Sequence, residues 1–408
     1  MCLNPVKIVN PKREISLAGG QQFYIEVPCG HCAECIKASR NEWYFRTYYE
    51  AMDTFDNNGY ILFDTLTYSP QNLPHLSEFI SIPDDLDMPC FDKSDYRNFI
   101  CQLRMEWTRL ANKGYAKKPT KDNFKYFLTS EYGSKGHRPH YHVLFFVKDD
   151  AIRWDILSRL INKCWHRGRT DGYPSQSLKY VHDKRVFSRK QCADVNYLMN
   201  CCRYVSKYIS KSNDFEKKLN DKLEFLFKNK YGDLWREDDS DEYLHDKFLE
   251  MRRSLDQFHR QSNGFGIAFL NYNDYEEIMK TGMIKIPSQD LNVIKEIPIP
   301  MYYQMKIFYD LHKDASGHAV RWTLNEEGQK FKFIKAMNAI DSLKVKFEDW
   351  IKNMQSKNYF YEGDNADAWY GQVDRFLQYN AGRDLHFFAM YLLLYKFHPL
   401  LSLTELQT

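Results

Sequence analysis

The 408 residues carry 57 Lys and Arg against 54 Asp and Glu, a net charge of +3, with 16 % aromatic residues and ten cysteines. The longest apolar run, Phe387 to Tyr395, is far shorter than a bilayer span, and the opening "MCLNPVKIVNPKREI" has no signal-peptide core, so a soluble cytoplasmic protein without membrane association is expected. Unevenly spaced cysteines in a chain of this size point to reduced thiols or metal ligands rather than a disulfide framework.

The charge is unevenly placed. Between Cys101 and Lys211 there are 23 Lys and Arg against 9 Asp and Glu, a balance of +14, which leaves +3 − 14 = −11 for the rest. A segment this one-sided suits a phosphate-bearing partner.

In chain order, residues 1–35 form a loop-rich, cysteine-containing segment ending in "PCGHCAEC". Cys29, Cys32 and Cys35 have the spacing of a structural zinc site, with Cys2 as a fourth thiolate and His31 as a competing ligand; three reduced cysteines at a helix start are the alternative. "IKASRNEWYFRTYYEAMD" reads as a helix, and "GYILFDTLTY" as a strand closed by the turn "SPQNLP". Ser94 can cap a helix on which Phe99, Leu103, Trp107 and Leu110 recur at three- and four-residue intervals. "FKYFLTSE" and "YHVLFFV" read as strands joined by "YGSKGHRP", and "AIRWDILSRLINKCW" as an amphipathic helix. This order predicts an α+β domain over 36–211, an antiparallel sheet flanked by helices. Residues 212–408 are highly charged and are expected to form a mostly helical accessory region.

Residues two apart on a strand share a face, so His140 and His142 can bind one metal ion while Tyr141 turns away. Glu131 ends the preceding strand, and a hairpin returns it beside His140 as an oxygen ligand, leaving positions open for a substrate phosphate. Two ordinary hydrogen-bonded histidines are the plainer alternative. In "NYLMNCCRYVSKYISKS", Tyr204 and Tyr208 are neighbours on one helix face, and Lys207 and Lys211 each follow a tyrosine by three residues. A packed aromatic stripe is the usual fate of such tyrosines, and Tyr197 fits it. Interleaved lysines are an odd choice for a core, however, and a lysine beside a phenol favours the phenolate, a nucleophile for a phosphodiester.

"TLTY" (Thr65 to Tyr68), "RPHYH" (Arg138 to His142) and "YVSKYISK" (Tyr204 to Lys211) resemble the three ordered motifs of HUH endonucleases that initiate rolling-circle replication, specifically the two-tyrosine initiators. "MCLNP", "VPCGHCAEC", "GFGIAF" and "IPMYY" resemble replication initiation proteins of gokushovirus-type microviruses, small single-stranded DNA phages. The resemblance implies that His140 and His142 hold Mg²⁺ or Mn²⁺ and that Tyr204 and Tyr208 nick one strand, leaving a 3′-hydroxyl and a 5′-phosphotyrosine. The implied partners are single-stranded and origin double-stranded phage DNA in the cytoplasm of the bacterial host, contacted by cations such as Lys135, Arg138 and Arg203. No "GxxxxGK[ST]" loop is present, so unwinding is expected to fall to a host helicase, alongside a host polymerase. Two other readings stay open on the residues alone: a non-catalytic DNA-binding protein, and a 2-His-1-carboxylate Fe(II) oxygenase.

Overall fold

The structure, a computed structural model, describes residues 4–9, 24–30, 32–133, 137–170, 186–188, 214–236, 241–287 and 294–332, with 334–335, 338, 345–346 and 349 beyond them. The chain divides into two compact units, Met1–Tyr272 and Asn273–Thr408.

In the first unit, strands β1 (Val6–Val9) and β2 (Tyr24–Val27) pair antiparallel ahead of helix α1 (Ala33–Asp56). Then come β3 (Tyr60–Tyr68), α2 (Lys93–Asn112), β4 (Phe124–Tyr132), β5 (Pro139–Val147), α3 (Trp154–Cys164), β6 (Gly168–Thr170) and β7 (Val186–Ser188). Helices α4 (Asp214–Tyr231) and α5 (Glu242–Leu255) and strand β8 (His259–Gln261) complete it. Among the described residues the main sheet has six strands, every pair antiparallel, in the order β6-β3-β5-β4-β8, with β7 also on β3. The chain is thus α+β, as its element order predicts.

Alternation along the central strand β5 gives the sheet two faces. Tyr141, Val143, Phe145 and Val147 point into a core shared with Phe99 and Trp107 of α2, Leu157 and Ile161 of α3, and Phe227 and Phe248 of the later helices. Fully burying each such aromatic or aliphatic side chain contributes about 1.5–3 kcal/mol. The helix α2 that carries much of this core is capped by Asp92, whose carboxylate accepts the Ser94 N–H at 2.7 Å. The cap expected at Ser94 therefore lies two residues earlier, because an ionised carboxylate is the stronger acceptor for the helix's free N–H groups.

The opposite face carries Leu144, Phe146 and Phe127, covered by α1 through Trp43, whose ring centroid lies 5.3 Å from that of Phe127. Glu50 of α1 is fully buried between Lys125 and Lys148, at 2.8 and 3.1 Å, and accepts the Gly266 N–H at 2.8 Å. Gly266 has φ +78° and sits so close to α1 that a Cβ there would stand 2.8 Å from the Arg46 backbone. "GFGIAF" is therefore the clamp that fastens α1 to the sheet, since only glycine fits both the left-handed conformation and the close approach.

The unit holding the sheet runs past Lys211, where the charge character changes, to Tyr272. The charged segment folds as α4 and α5, which bury Leu223, Phe227, Phe248 and Met251, and β8 then adds an edge strand to β4. The second unit contains helices α6 (Tyr275–Thr281) and α7 (Met301–Ile307). It also holds two antiparallel pairs that the expectation of a mostly helical region does not place: β9 (Met283–Pro287) with β10 (Ile294–Pro298), and β11 (Tyr309–Lys313) with β12 (Ala319–Leu324). Among the described residues, no helix is long and apolar enough to cross a membrane.

Candidate metal centre

At one end of the face covered by α1, β5 brings its two histidines beside β4. The register sets Glu131 directly opposite His140 and Thr129 opposite His142, which is the hairpin pairing expected from the sequence. Glu131 is 5 % and His142 7 % exposed, so a carboxylate and an imidazole are held out of water together, a costly arrangement unless positive charge joins them. His142 Nε2 lies 3.0 Å from Glu131 Oε2 and 3.2 Å from His140 Nε2, and the third separation, His140 Nε2 to Glu131 Oε2, is 3.5 Å.

These distances fit a shared cation. Three ligands at about 2.1 Å from one ion stand about 3.0 Å apart at right angles and about 3.4 Å apart at tetrahedral angles. The ring nitrogens facing away from this point are engaged too. His140 Nδ1 lies 3.1 Å from the Arg138 carbonyl, which can only accept, so Nδ1 carries the proton and Nε2 presents its lone pair to the shared volume. His142 Nδ1 lies 3.2 Å from Thr65 Oγ1, directly across the strand pair, and Phe63 stacks on the His142 ring with 5.5 Å between centroids. Such outer contacts fix ring orientation and ligand basicity. Thr65 lies inside "TLTY", where a polar residue on the histidines' face is the available signal, but its partner is 77 residues away and sequence reading assigns it no role.

Tyr141 turns to the other face, as alternation requires. Its hydroxyl donates to the Asp92 carbonyl at 3.0 Å, and the Tyr68 hydroxyl donates to Asp95 at 3.0 Å. Burial pushes both phenols far above the usual tyrosine range. They stay protonated and bonded at neutral pH and are unsuited to act as nucleophiles at the centre.

The second cluster lies at the start of α1. Cys29, Cys32 and Cys35 are half-buried, with all three sulfurs within 4.8 Å of one another, and Cys29 Sγ stands 4.0 Å from Cys35 Sγ. Thiolates at about 2.3 Å around a tetrahedral ion stand about 3.8 Å apart. Gly30, at φ +79°, turns the chain between the first two, and the Cys32 N–H donates to Cys29 Sγ at 3.3 Å. The sequence spacing thus produces a real convergence of three sulfurs.

Arg138 is exposed and donates from Nη2 to the Tyr68 carbonyl at 2.8 Å, beside the centre. Tyr204, Tyr208, Lys207, Lys211, Arg203, Lys135 and Cys2 lie outside the described residues, as do Tyr197 and His31.

A family model for the replication-associated protein ORF2 matches residues 61–213, which include Glu131, His140, His142, Tyr204 and Tyr208. The chain is 28 % identical over 192 residues to "Replication-associated protein ORF2" of Spiroplasma virus 4, covering 41 % of this chain and 54 % of that protein. It is 26 % identical over 224 residues to "Replication-associated protein VP4" of Bdellovibrio phage phiMH2K, covering 52 % of this chain and 60 % of that protein. The chain thus spans little more than half the length of these relatives. No solved structure matches. What the chain is similar to, from its sheet to the tyrosine-bearing segment, is a set of phage replication-associated proteins.

Proposed function

We propose that this chain is an HUH-type initiator of rolling-circle replication for a microvirus-like phage, nicking and rejoining one DNA strand at an origin. The observation that carries the proposal is the convergence of His140 Nε2, His142 Nε2 and Glu131 Oε2 within 3.5 Å, inside the region that matches replication-associated proteins. Mg²⁺ or Mn²⁺ suits these ligands, and would draw charge from a phosphate and fix its orientation. Tyr204 or Tyr208 supplies the nucleophile. The phenolate oxygen attacks phosphorus, the bond to the 3′-oxygen breaks, that oxygen takes up a proton, and the 5′ end remains as a phosphotyrosine. Lys207 and Lys211 favour the phenolate by their positive charge. The reverse transfer to a free 3′-hydroxyl conserves the phosphodiester and needs no ATP. With two tyrosines, one is available for the second cut while the other holds DNA. Arg138, Lys135 and Arg203 serve DNA binding, and host helicase and polymerase act in the bacterial cytoplasm. Zn²⁺ is assigned to Cys29, Cys32 and Cys35, with Cys2 as a candidate fourth ligand.

The test is incubation of the full chain with labelled single-stranded phage origin DNA and Mn²⁺, followed by denaturing electrophoresis. A covalent adduct should form and should survive in the single variants Tyr204→Phe and Tyr208→Phe but not in the double variant, with Tyr197→Phe near wild type. Binding without any adduct would favour a DNA-binding protein that does no chemistry, and an adduct mapped to Tyr197 would overturn the tyrosine assignment.

A further inference from the structure

A cavity of about 600 Å³ opens directly beside the metal centre, with His140 on its wall. Its volume lies within the range of small-molecule sites, about 300–1,000 Å³. Thr67, Ser69 and Gln71 follow β3 out of the sheet along one side, Arg138 stands at the start of β5, and Arg169 comes from β6. Among the described residues no Asp or Glu lines it, so its two guanidinium groups give it a net positive wall.

The wall is fixed in place. Arg138 uses one donor on the Tyr68 carbonyl, while a guanidinium has five. Thr67 Oγ1 donates to the Arg169 carbonyl at 3.0 Å and holds β6 to β3. Gly168 permits that approach, since a Cβ there would lie 2.0 Å from the Thr67 carbonyl. Arg138 and Arg169 are thus carried on paired strands, at a site that adjoins the triad through His140.

We infer that this cavity takes one unpaired nucleotide next to the scissile phosphate, with Arg138 and Arg169 on its phosphates and the Gln71 carboxamide on its base edge. The inference rests on the proposed nicking function and deepens it. A cationic, hydroxyl-lined recess with no carboxylate suits a phosphodiester. Pro70 and Pro139 supply flat apolar surface for a sugar or base. A carboxamide both donates and accepts, so it can discriminate between bases. Because the recess is concave, a base can enter only out of its stack, which selects single-stranded or locally melted DNA. Gln71 is then a specificity residue and Arg169 a positioning residue.

Two measurements on the full chain test this separately from nicking. Fluorescence anisotropy with labelled single-stranded oligonucleotides, in chelator so that no cleavage occurs, should show Arg169→Met binding about tenfold more weakly at low salt. Its slope of log affinity against log salt should be shallower by about one contact. Double-stranded competitors should displace the labelled strand poorly. Gln71→Ala should keep affinity for mixed sequences within about twofold but equalise competition among oligo-dA, oligo-dC and oligo-dT. If wild type forms adducts, sequencing the junctions from a randomised single-stranded pool should show one position beside the cut losing its base preference in Gln71→Ala. Unchanged base preference in Gln71→Ala together with an unchanged affinity and salt slope in Arg169→Met would overturn the inference even if nicking is robust. Absence of adducts from wild type would sink the nicking reading alone, because the anisotropy arms still report on the cavity. Both substituted side chains are exposed, and unchanged circular dichroism confirms that the variants remain folded.

Discussion

Glu131, His140 and His142 come from two strands and converge because of pairing register, whereas Cys29, Cys32 and Cys35 fall within a single turn and helix start and converge locally. The first set offers nitrogen and oxygen from a buried position on the central strand of the sheet. The second offers only sulfur, half-exposed, ahead of a stretch of α1 that stays largely exposed until Trp43. Hard, partly open ligand sets suit a catalytic Mg²⁺ or Mn²⁺ that must also meet a phosphate, and sulfur sets suit a zinc that stays. The sites also differ in what can break them. A one-residue slip between β4 and β5 would send Glu131 and the histidines to opposite faces, while no slip in the sheet changes the cysteine turn.

The largest effect should come from removing an imidazole. His140→Ala or His142→Ala should abolish adduct formation and Mn²⁺ binding by the triad, while zinc content measured on the same protein stays at wild-type level. Metal-independent cleavage by a folded variant would break the contrast between the two clusters. Glu131→Ala should weaken Mn²⁺ binding, and an unchanged titration would move the third ligand elsewhere.

Acid should release metal from both clusters, so the fold's own response to pH must be separated from it. His259 lies on β8 opposite Thr129, against the rings of Trp43 and Phe127, and burial, with help from Arg260 and Arg46, lowers its pKa to about 4. In the unfolded chain a histidine titrates near 6.5. Between about pH 6.5 and about 4 the unfolded state therefore binds more protons, and stability falls as pH falls through that window, by about 3 kcal/mol at most. Urea midpoints of metal-free wild type should decline across it, and those of His259→Phe should decline less. Equal declines would assign the acid sensitivity to other groups.

A smaller effect tests the support of the histidines. Thr65→Val keeps the shape but removes the oxygen facing His142 Nδ1, and it should weaken Mn²⁺ binding about 10–100-fold with zinc unchanged. Titration by Mn²⁺ electron paramagnetic resonance reads this without cleavage, and unaltered affinity would make Thr65 merely a strand residue.

Thr65 also marks where legibility in the sequence ends. A two-residue period predicts that His140 and His142 share a face, and a short glycine-containing connection predicts that Glu131 returns beside them, because both are local properties. That Thr65 meets His142 depends on β3 pairing with β5 across an intervening helix, and no local pattern carries that register. β8 escapes notice for a related reason. Three residues, "HRQ", are too few to show alternation, and they become a strand only because the β4 edge is there to pair with. The charge excess of the preceding helices misleads in the other direction, since the apolar stripe of Leu223 and Phe227 outweighs it and docks α4 on the core.

The smallest expected effect at the triad comes from the cysteines. Each thiolate is one of few ligands, so Cys32→Ser should reduce zinc from about one per chain to near none after purification under reducing conditions without chelator. The nearest buried anchor of α1 is Trp43, three turns past Cys32, and the Glu50 ion cluster and the Gly266 clamp lie farther along. Loss of the sulfur site should therefore loosen the turn and the β1–β2 pair while leaving the sheet, and with it the register that assembles the triad. Mn²⁺ affinity should stay within about twofold of wild type, and the main thermal transition should shift little. A parallel loss of Mn²⁺ binding would show that the two clusters stabilise one another and that local convergence does not make the cysteine turn independent.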